Sequence, residues 1–375
     1  IQKTLENVAV PCLLAAVTTA IGFAVMAGSH LLALAELAEY LSAGVILSFV
    51  ASVSVMICIM SLGSDKPPPA RRVSKREAGI IHRLLSALVQ FNLKRRSGIL
   101  AVSALLLIVA LAGVSKLQVS FNYLEDFKAH TQFRQHTSYV QDIMGGMLNL
   151  VFIYQADEPE AVKSRAILTH LEALQAKAER SPLVTKTYSV VDILKDINQS
   201  FHGDDPAYHR LPESDELIAQ YLLLYELSGG GELEDYVSGD YQRTTLELRV
   251  QMVDSALVSQ LIEELSDYLQ ANPAPQAQVQ ITGIGMLWLK MSEYIAQSQI
   301  QGYGLAFLFI AIVLCLAFRS VKVGLVAMIP NLFPIVLILG ALGAVGMHLD
   351  YFRLLLATVA IGIAVDDTVH MTSRM

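Results

Sequence analysis

Charged residues are scarce in this sequence. Asp, Glu, Lys and Arg make up 16% of its 375 residues, whereas a soluble domain usually carries about 25% charged residues. Hydrophobic residues make up 54%. They concentrate at the two ends of the chain, while a long middle stretch has the composition of a soluble domain. The scarcity of charge argues against an ordinary soluble protein and favours a membrane protein.

Cysteine is scarce as well. Cys12, Cys58 and Cys315 all lie inside hydrophobic runs, and the polar middle stretch has none. A disulfide framework and a cysteine-based metal site are therefore unavailable there, and we expect the three thiols to act as small apolar fillers. A signal peptide pattern is also missing. Because the chain starts at Ile1 and stops at Met375, where a hydrophobic segment finishes, we expect a fragment of a longer protein.

Six hydrophobic stretches can be recognised as membrane spans, each of which needs roughly 20 mainly apolar residues. Together they predict an α-helical polytopic membrane protein. The stretches cover residues 8–27, 40–62, 99–114, 302–318, 323–347 and 352–371.

Positive charge predicts the orientation of these spans. The segment between the second and third spans is strongly basic, and only Asp65 and Glu77 oppose its positive charges. Basic loops stay in the cytoplasm, so we expect this linker and both chain ends inside, and the large middle region outside. The basic residues of the linker are Lys66, Arg71, Arg72, Lys75, Arg76, Arg83, Lys94, Arg95 and Arg96.

The same linker contains an amphipathic pattern. After three prolines at 67–69, apolar residues recur on one helical stripe, which predicts a helix lying on the inner membrane surface. A plain cytoplasmic connector is the alternative. The stripe consists of Ile80, Ile81, Leu84, Leu85 and Leu88.

The middle region alternates between strand and helix patterns. Strand candidates at 148–155, 185–189, 241–252 and 279–283 are separated by helical segments, the longest of which cover 159–180 and 255–271. Two strand–helix–strand units of this kind predict a ferredoxin-like α/β domain. Acidic residues outnumber basic ones about two to one here, so nucleic acid is not an expected partner.

The predicted organisation has five parts. Residues 1–62 hold two transmembrane helices, 63–98 the basic cytoplasmic linker, and 99–115 one further transmembrane helix. The extracytoplasmic α/β domain occupies 116–301, and three transmembrane helices occupy 302–375.

The last span carries the most informative residues. Asp366 and Asp367 lie about 14 residues past Phe352, which is about 20 Å along a helix and past the middle of a hydrocarbon core about 30 Å thick. A carboxylate there costs on the order of 2.5–3.5 kcal/mol. Two adjacent carboxylates disfavour double ionisation, so the pair is suited to bind and release a proton. His370 lies one turn further on the same face.

Two other interpretations remain for the aspartates. In the first, the helix ends there and both carboxylates lie in the interfacial region. An intramembrane aspartyl protease is a poorer fit, because that class needs aspartates on two helices and a Gly-x-Gly-Asp pattern. Here Gly362 precedes Asp366 by four residues.

Three motifs resemble the resistance–nodulation–division (RND) superfamily, in the subgroup of MMPL lipid exporters, Patched and sterol-sensing proteins. Gly362-x-x-x-Asp366-Asp367 resembles its GxxxD(D) motif, Pro330-Asn331-Leu332-Phe333-Pro334 its PNxxP element, and Thr18-Thr19-Ala20-Ile21-Gly22-Phe23 its TTxxGF element. The order of spans, linker and outer domain resembles the centre and second half of such a protein.

The resemblance implies a proton-driven exporter of a hydrophobic or amphiphilic, lipid-like substrate in the inner membrane, and not an enzyme. It assigns the proton relay to Asp366, Asp367 and His370, and it implies no cofactor and no metal. Membrane lipids, protons, a second copy or a periplasmic protein are the implied partners. A sterol-sensing receptor without transport and a SecDF-like protein-translocation accessory remain as alternatives.

Two features of the middle region have ordinary interpretations beside functional ones. His202, Asp204, Asp205 and His209 have the side chains of metal ligands, but we expect a solvated turn in so Gly- and Pro-rich a loop. Trp288 is expected in core packing, and a lipid-facing entrance is the alternative.

Overall fold

The computed structural model describes residues 2–62, 75–231 and 233–372. Two compact units form: residues 1–119 with 294–375, and residues 120–293. The prolines at 67–69 and the basic residues before Lys75 lie outside the described residues.

Thirteen α-helices and four strands are described. The helices are α1 (Gln2–Ala24), α2 (Leu32–Ser61), α3 (Lys75–Lys94), α4 (Arg96–Val114), α5 (Gln132–Met144), α6 (Arg165–Ala178), α7 (Val190–Phe201), α8 (Asp215–Leu227), α9 (Leu233–Tyr236), α10 (Ser255–Ala271), α11 (Ile284–Ala317), α12 (Val321–Val345) and α13 (Tyr351–Thr372). The strands are β1 (Leu148–Ala156), β2 (Val184–Ser189), β3 (Arg243–Val250) and β4 (Ala277–Thr282).

Five helical segments among the described residues are long and apolar enough to cross a membrane. The chain is therefore a helical multi-pass membrane protein. The segments are Pro11–Gly28, Leu32–Ile59, Arg96–Val114, Ile284–Ala317 and Val321–Val345.

The sixth predicted span is a helix, α13, but its apolar part is the short segment Tyr351–Gly362. Several residues of α13 beyond Gly362 have side chains outside the described residues, so a sixth crossing stays a prediction. α2 begins at Leu32 and not near residue 40. Glu36 and Glu39 therefore belong to its first turns and not to a connecting loop, because the Leu- and Ala-rich sequence from Leu32 favours a helix.

The predicted amphipathic helix is described from Lys75 onward as α3. The side chains of Ile80 and Ile81 lie outside the described residues. Leu84, Leu85 and Leu88 are all more than half exposed, as expected of an apolar stripe without a protein partner in this chain.

Glycines let α4 and α12 approach backbone to backbone. A Cβ atom added at Gly340 would lie 2.5 Å from the Cα of Ala110, and one at Gly113 would lie 2.8 Å from the carbonyl carbon of Gly340. Gly343 meets the Gly113 backbone in the same way. Small residues at such a crossing are typical of helix packing in lipid.

The unit of residues 120–293 has the predicted ferredoxin-like fold. Its four strands form an antiparallel sheet in the order β2-β3-β1-β4, and α6 and α10 connect β1 to β2 and β3 to β4. Alternate side chains of β1 are buried, and they form the core with the apolar faces of α6 and α10. The buried residues of β1 are Leu148, Leu150, Phe152, Tyr154 and Ala156.

Three helices, α7 to α9, fill the connection between β2 and β3. The first of them begins with a capping box, in which the Ser189 backbone N–H donates to Asp192 at 2.8 Å and the Ser189 hydroxyl accepts from the Val191 N–H at 3.2 Å. Helices α7 to α9 are thus an insertion between two strand–helix–strand units, β1-α6-β2 and β3-α10-β4, and both units remain complete.

Candidate functional site in the membrane helices

The predicted relay residues belong to the last helix. The backbones of Asp366, Asp367 and His370 lie in α13, and their side chains lie outside the described residues. Some residues around them in α13 are described, among them the buried Ile361 and Val365.

The first contact of this region joins α13 to α1. The Thr19 hydroxyl donates to the Gly362 carbonyl oxygen over 3.4 Å. A Cβ atom at Gly22 would lie 3.3 Å from the Gly362 Cα, so the two backbones nearly touch. Two of the three motifs, far apart in sequence, therefore meet one turn before position 366.

Thr18, beside that contact, has a different role. Its hydroxyl donates within α1, to the carbonyl oxygens of Leu14 and Ala15 at 3.0 Å each. Thr18 is fully buried, and it satisfies its own helix backbone, as expected.

The second contact joins α13 to α12. The Thr368 hydroxyl donates to the side-chain oxygen of Asn331 at 2.5 Å, and the Asn331 amide donates to the Ala327 carbonyl at 3.2 Å. Asn331 is 2% exposed. The third motif therefore meets α13 one residue after the aspartates.

The prolines of that third motif do not break the helix. α12 continues through Pro330 and Pro334, from Val321 to Val345.

Sequence reasoning missed a further polar cluster, between α11 and α13. The Thr358 hydroxyl donates to the Gln299 side-chain oxygen at 2.9 Å, and the Tyr303 hydroxyl donates to the Leu354 carbonyl at 2.5 Å. Gln299 and Thr358 are 2% and 3% exposed. The sequence signal that could have indicated this cluster is the presence of a glutamine and a threonine inside apolar segments.

The His- and Asp-rich loop of the α/β unit uses its side chains separately. His202 donates to the Asn198 carbonyl at 2.7 Å and stacks on Tyr208. The Asp205 carboxylate accepts from the Ala207 N–H at 2.9 Å, and His209 pairs with Asp196 at 3.2 Å. These are the contacts of a structured turn.

Trp288 packs in the interior of the same unit. It is 7% exposed, and its ring lies 6.0 Å from that of Tyr123. The neighbouring Leu287 is 68% exposed.

Residues 270–375, which include α12 and α13, match the family described as "Protein export membrane protein SecD/SecF, C-terminal". The matched family is one of transport proteins and not of enzymes, as predicted for this chain. No curated protein sequence matches the chain.

Solved structures give the fold of the whole chain. The hedgehog release protein Disp from water bear (Hypsibius dujardini) is 13% identical, with a TM-score of 0.61 over 98% of this chain and 49% of Disp. The chain therefore shares the fold of Disp and spans about half its length. SecDF from Thermus thermophilus, a translocon-associated membrane protein, is 11% identical, with a TM-score of 0.40 over 100% of this chain and 38% of SecDF. A score that low does not establish a shared fold.

Proposed function

We propose that this chain is part of a proton-driven membrane transporter of the RND and SecDF kind, in which Asp366 and Asp367 carry the driving proton and His370 assists them. The observation that carries this proposal is the meeting of α1 and α12 with α13 on both sides of the aspartates, through Thr19 at Gly362 and Asn331 at Thr368.

Proton binding is the task that this location suits. Each carboxylate near the bilayer centre costs on the order of 2.5–3.5 kcal/mol, and two neighbours do not ionise together easily. A pair that holds one proton can take it up from one side and release it to the other. The match of residues 270–375 to protein export membrane proteins supports a transport role for these helices.

The orientation rests on charge. Because the basic linker and the Arg319–Lys322 turn favour the cytoplasmic side, we propose an inner-membrane protein whose α/β unit is extracytoplasmic. In this orientation α13 begins outside and runs inward, so protons would enter near Tyr351.

For the cargo, we propose a protein under export. The family match describes protein export, and it favours an accessory that works with the general secretion channel. In this proposal the α/β unit holds the polypeptide that emerges from the channel, and proton movement drives its further export.

A lipid-like cargo is the second candidate, and a groove in the α/β unit favours it. The groove encloses about 500 Å³ between the end of α6 and α10. Lys177, Arg180 and Glu264 lie at it, and among the described residues neither Lys177 nor Arg180 forms an ion pair. An apolar lining beside two cations and one carboxylate leaves a net positive charge, which suits an amphiphile with an acidic head group. The apolar lining consists of Pro182, Leu183, Leu257, Leu261 and Leu265.

The test uses the full-length gene product in membranes and in proteoliposomes. Asp366→Asn and Asp367→Asn are made together, since asparagine keeps the size and removes the proton site. The matched control is Asp350→Asn, because Asp350 lies at the start of the same helix and pairs with Arg353 at 2.8 Å. Proton uptake, secretion of a reporter precursor and export of a fatty acid are measured at equal membrane abundance.

Loss of proton uptake in the double variant, with uptake retained in the control, supports the proposal. Loss of precursor secretion then identifies a protein cargo, and loss of fatty-acid export alone identifies the second candidate. Unchanged proton uptake in the double variant contradicts proton coupling. The sterol-sensing receptor without transport would then be the remaining alternative.

A further inference from the structure

A regular row of polar groups follows α13. Positions 354, 358, 362 and 366 lie at intervals of four residues, so each is about 6 Å further along the axis and about 40° further around the helix than the one before. The first three are each met by a polar side chain from another helix, and the fourth is Asp366.

The contacts of the row come from two helices. Tyr303 of α11 meets position 354 at 2.5 Å, and Gln299 of α11 meets position 358 at 2.9 Å. Thr19 of α1 meets position 362 at 3.4 Å. The row therefore extends from the first turn of α13 to the turn before the aspartates.

The spacing suits water. At the outer end no water is needed, because the Tyr303 and Thr358 hydroxyls share the Leu354 carbonyl, at 2.5 and 3.4 Å. Between the later positions, two consecutive hydrogen bonds of about 2.8 Å span nearly the 6 Å along the axis, so one water molecule fits there. Beside Gln299, the Ser298 hydroxyl is buried without a hydrogen-bond partner among the described residues. Buried hydroxyls are normally bonded, and a bound water would satisfy this one.

We propose that this row is the path by which protons reach Asp366 from the outer side, a proposal that rests on the proposed function. In this structure the Tyr303, Thr358 and Thr19 hydroxyls donate to the Leu354 carbonyl, the Gln299 oxygen and the Gly362 carbonyl. To conduct, each hydroxyl turns its proton away from that oxygen and gives it to the next water or hydroxyl, while it accepts a proton from the group before. One proton enters at position 354 and one arrives at Asp366, so no group in the row keeps a charge. Gln299 is a positioning residue, because its amide only orients the Thr358 hydroxyl.

Polar contacts between membrane helices also serve as simple packing bonds, so the test must separate conduction from packing. Thr358→Val removes the hydroxyl at constant size, and Thr358→Ser keeps the hydroxyl. Tyr303→Phe removes the outermost hydroxyl of the row. The matched control is Thr18→Val, which removes an equally buried hydroxyl that is bonded only within α1.

The full-length protein is reconstituted in proteoliposomes, and proton uptake is followed with a trapped pH dye after an inward-directed proton gradient is imposed. We expect Thr358→Val and Tyr303→Phe each to slow uptake about 100-fold, the lower end of the range for one positioned proton-transfer group. Thr358→Ser should restore the rate, and Thr18→Val should keep it. All variants should reach the membrane at the wild-type abundance.

The outcomes separate the two proposals. If the double asparagine variant loses uptake while Thr358→Val and Tyr303→Phe conduct like Thr18→Val, the row is not the path and proton coupling stands. If the double asparagine variant keeps uptake, both proposals fall. If Thr358→Val does not reach the membrane, Tyr303→Phe is the deciding variant. A wild-type rate of proton uptake in Tyr303→Phe would then contradict the proposal that the row is the proton path.

Discussion

The interiors of the two units are packed in different ways. In the α/β unit, large side chains such as Phe152 and Leu150 are completely buried between sheet and helices. In the membrane unit, α4 and α12 meet where side chains are absent, at Gly113, Gly340 and Gly343. The same chain therefore uses its largest residues for one interior and its smallest for the other.

The solvent explains the difference. In water, burying an apolar side chain stabilises the fold by about 1.5–3 kcal/mol. Lipid tails are as apolar as leucine, so that driving force is missing between membrane helices, and close backbone packing and hydrogen bonds take its place. Four substitutions test this contrast, from the largest expected effect to the smallest.

Phe152→Ala should destabilise the α/β unit by about 3–5 kcal/mol, because it leaves a cavity in a fully buried core. Hydrogen exchange of the β1 amides measures the loss. The matched control is Leu223→Ala, whose side chain is 54% exposed. An equal effect of both variants would mean that this core is not what stabilises the unit.

Gly340→Ala should destabilise the membrane unit by about 1–3 kcal/mol, the usual cost of overpacking, since the new methyl group would overlap the Ala110 backbone. Thermal unfolding in detergent measures the effect. Gly44→Ala in α2 is the control, because nothing lies within 4 Å of that position. If both variants melt alike, α4 and α12 do not pack through these glycines.

Ser189→Ala should cost the α/β unit about 1 kcal/mol, because it removes the helix cap of α7 and a bond of 2.8 Å to Gln175. Hydrogen exchange of the α7 amides, measured at increasing urea concentration, reports this loss of stability. Ser228→Ala, at an exposed hydroxyl, serves for comparison, and a loss there of the same size would speak against the cap.

The Asn331–Thr368 pair should contribute about 0.6 kcal/mol, the average for hydrogen bonds between membrane helices. A double-mutant cycle with Asn331→Leu and Thr368→Val, read from thermal unfolding, isolates that energy. A coupling energy above about 2 kcal/mol would exceed the largest values known for such bonds. The membrane hydrogen bond would then contribute more stability than the Ser189 cap in the α/β unit, which contradicts the expected order.

Much of the fold was predictable from local patterns. Alternation in β1 and β3 and the apolar stripes of α6 and α10 gave the ferredoxin-like order, because period and turn signals are local. α5 was missed because its sequence, QFRQHTSYVQDIM, is mostly polar and only 13 residues long. The second span was predicted to begin near residue 40, since Glu36 and Glu39 interrupt the apolar run before it.

The candidate site was predictable only in part. A buried acidic pair stands out in a single sequence, since it violates the apolar pattern around it. The contact of Thr19 with Gly362 joins residues 343 positions apart, and Asn331 meets Thr368 across two helices. Such pairings depend on how the helices pack, which no local pattern encodes.

The loop after α8 offers a practical use. Gly229 adopts a positive φ of 84°, and no atom lies within 4 Å of a Cβ at Gly231. Loop tips of this kind tolerate inserted domains, and the insertion of α7 to α9 already leaves both strand–helix–strand halves whole. A fluorescent protein placed after Gly231 would therefore report the cellular side and abundance of the α/β unit without interrupting its sheet.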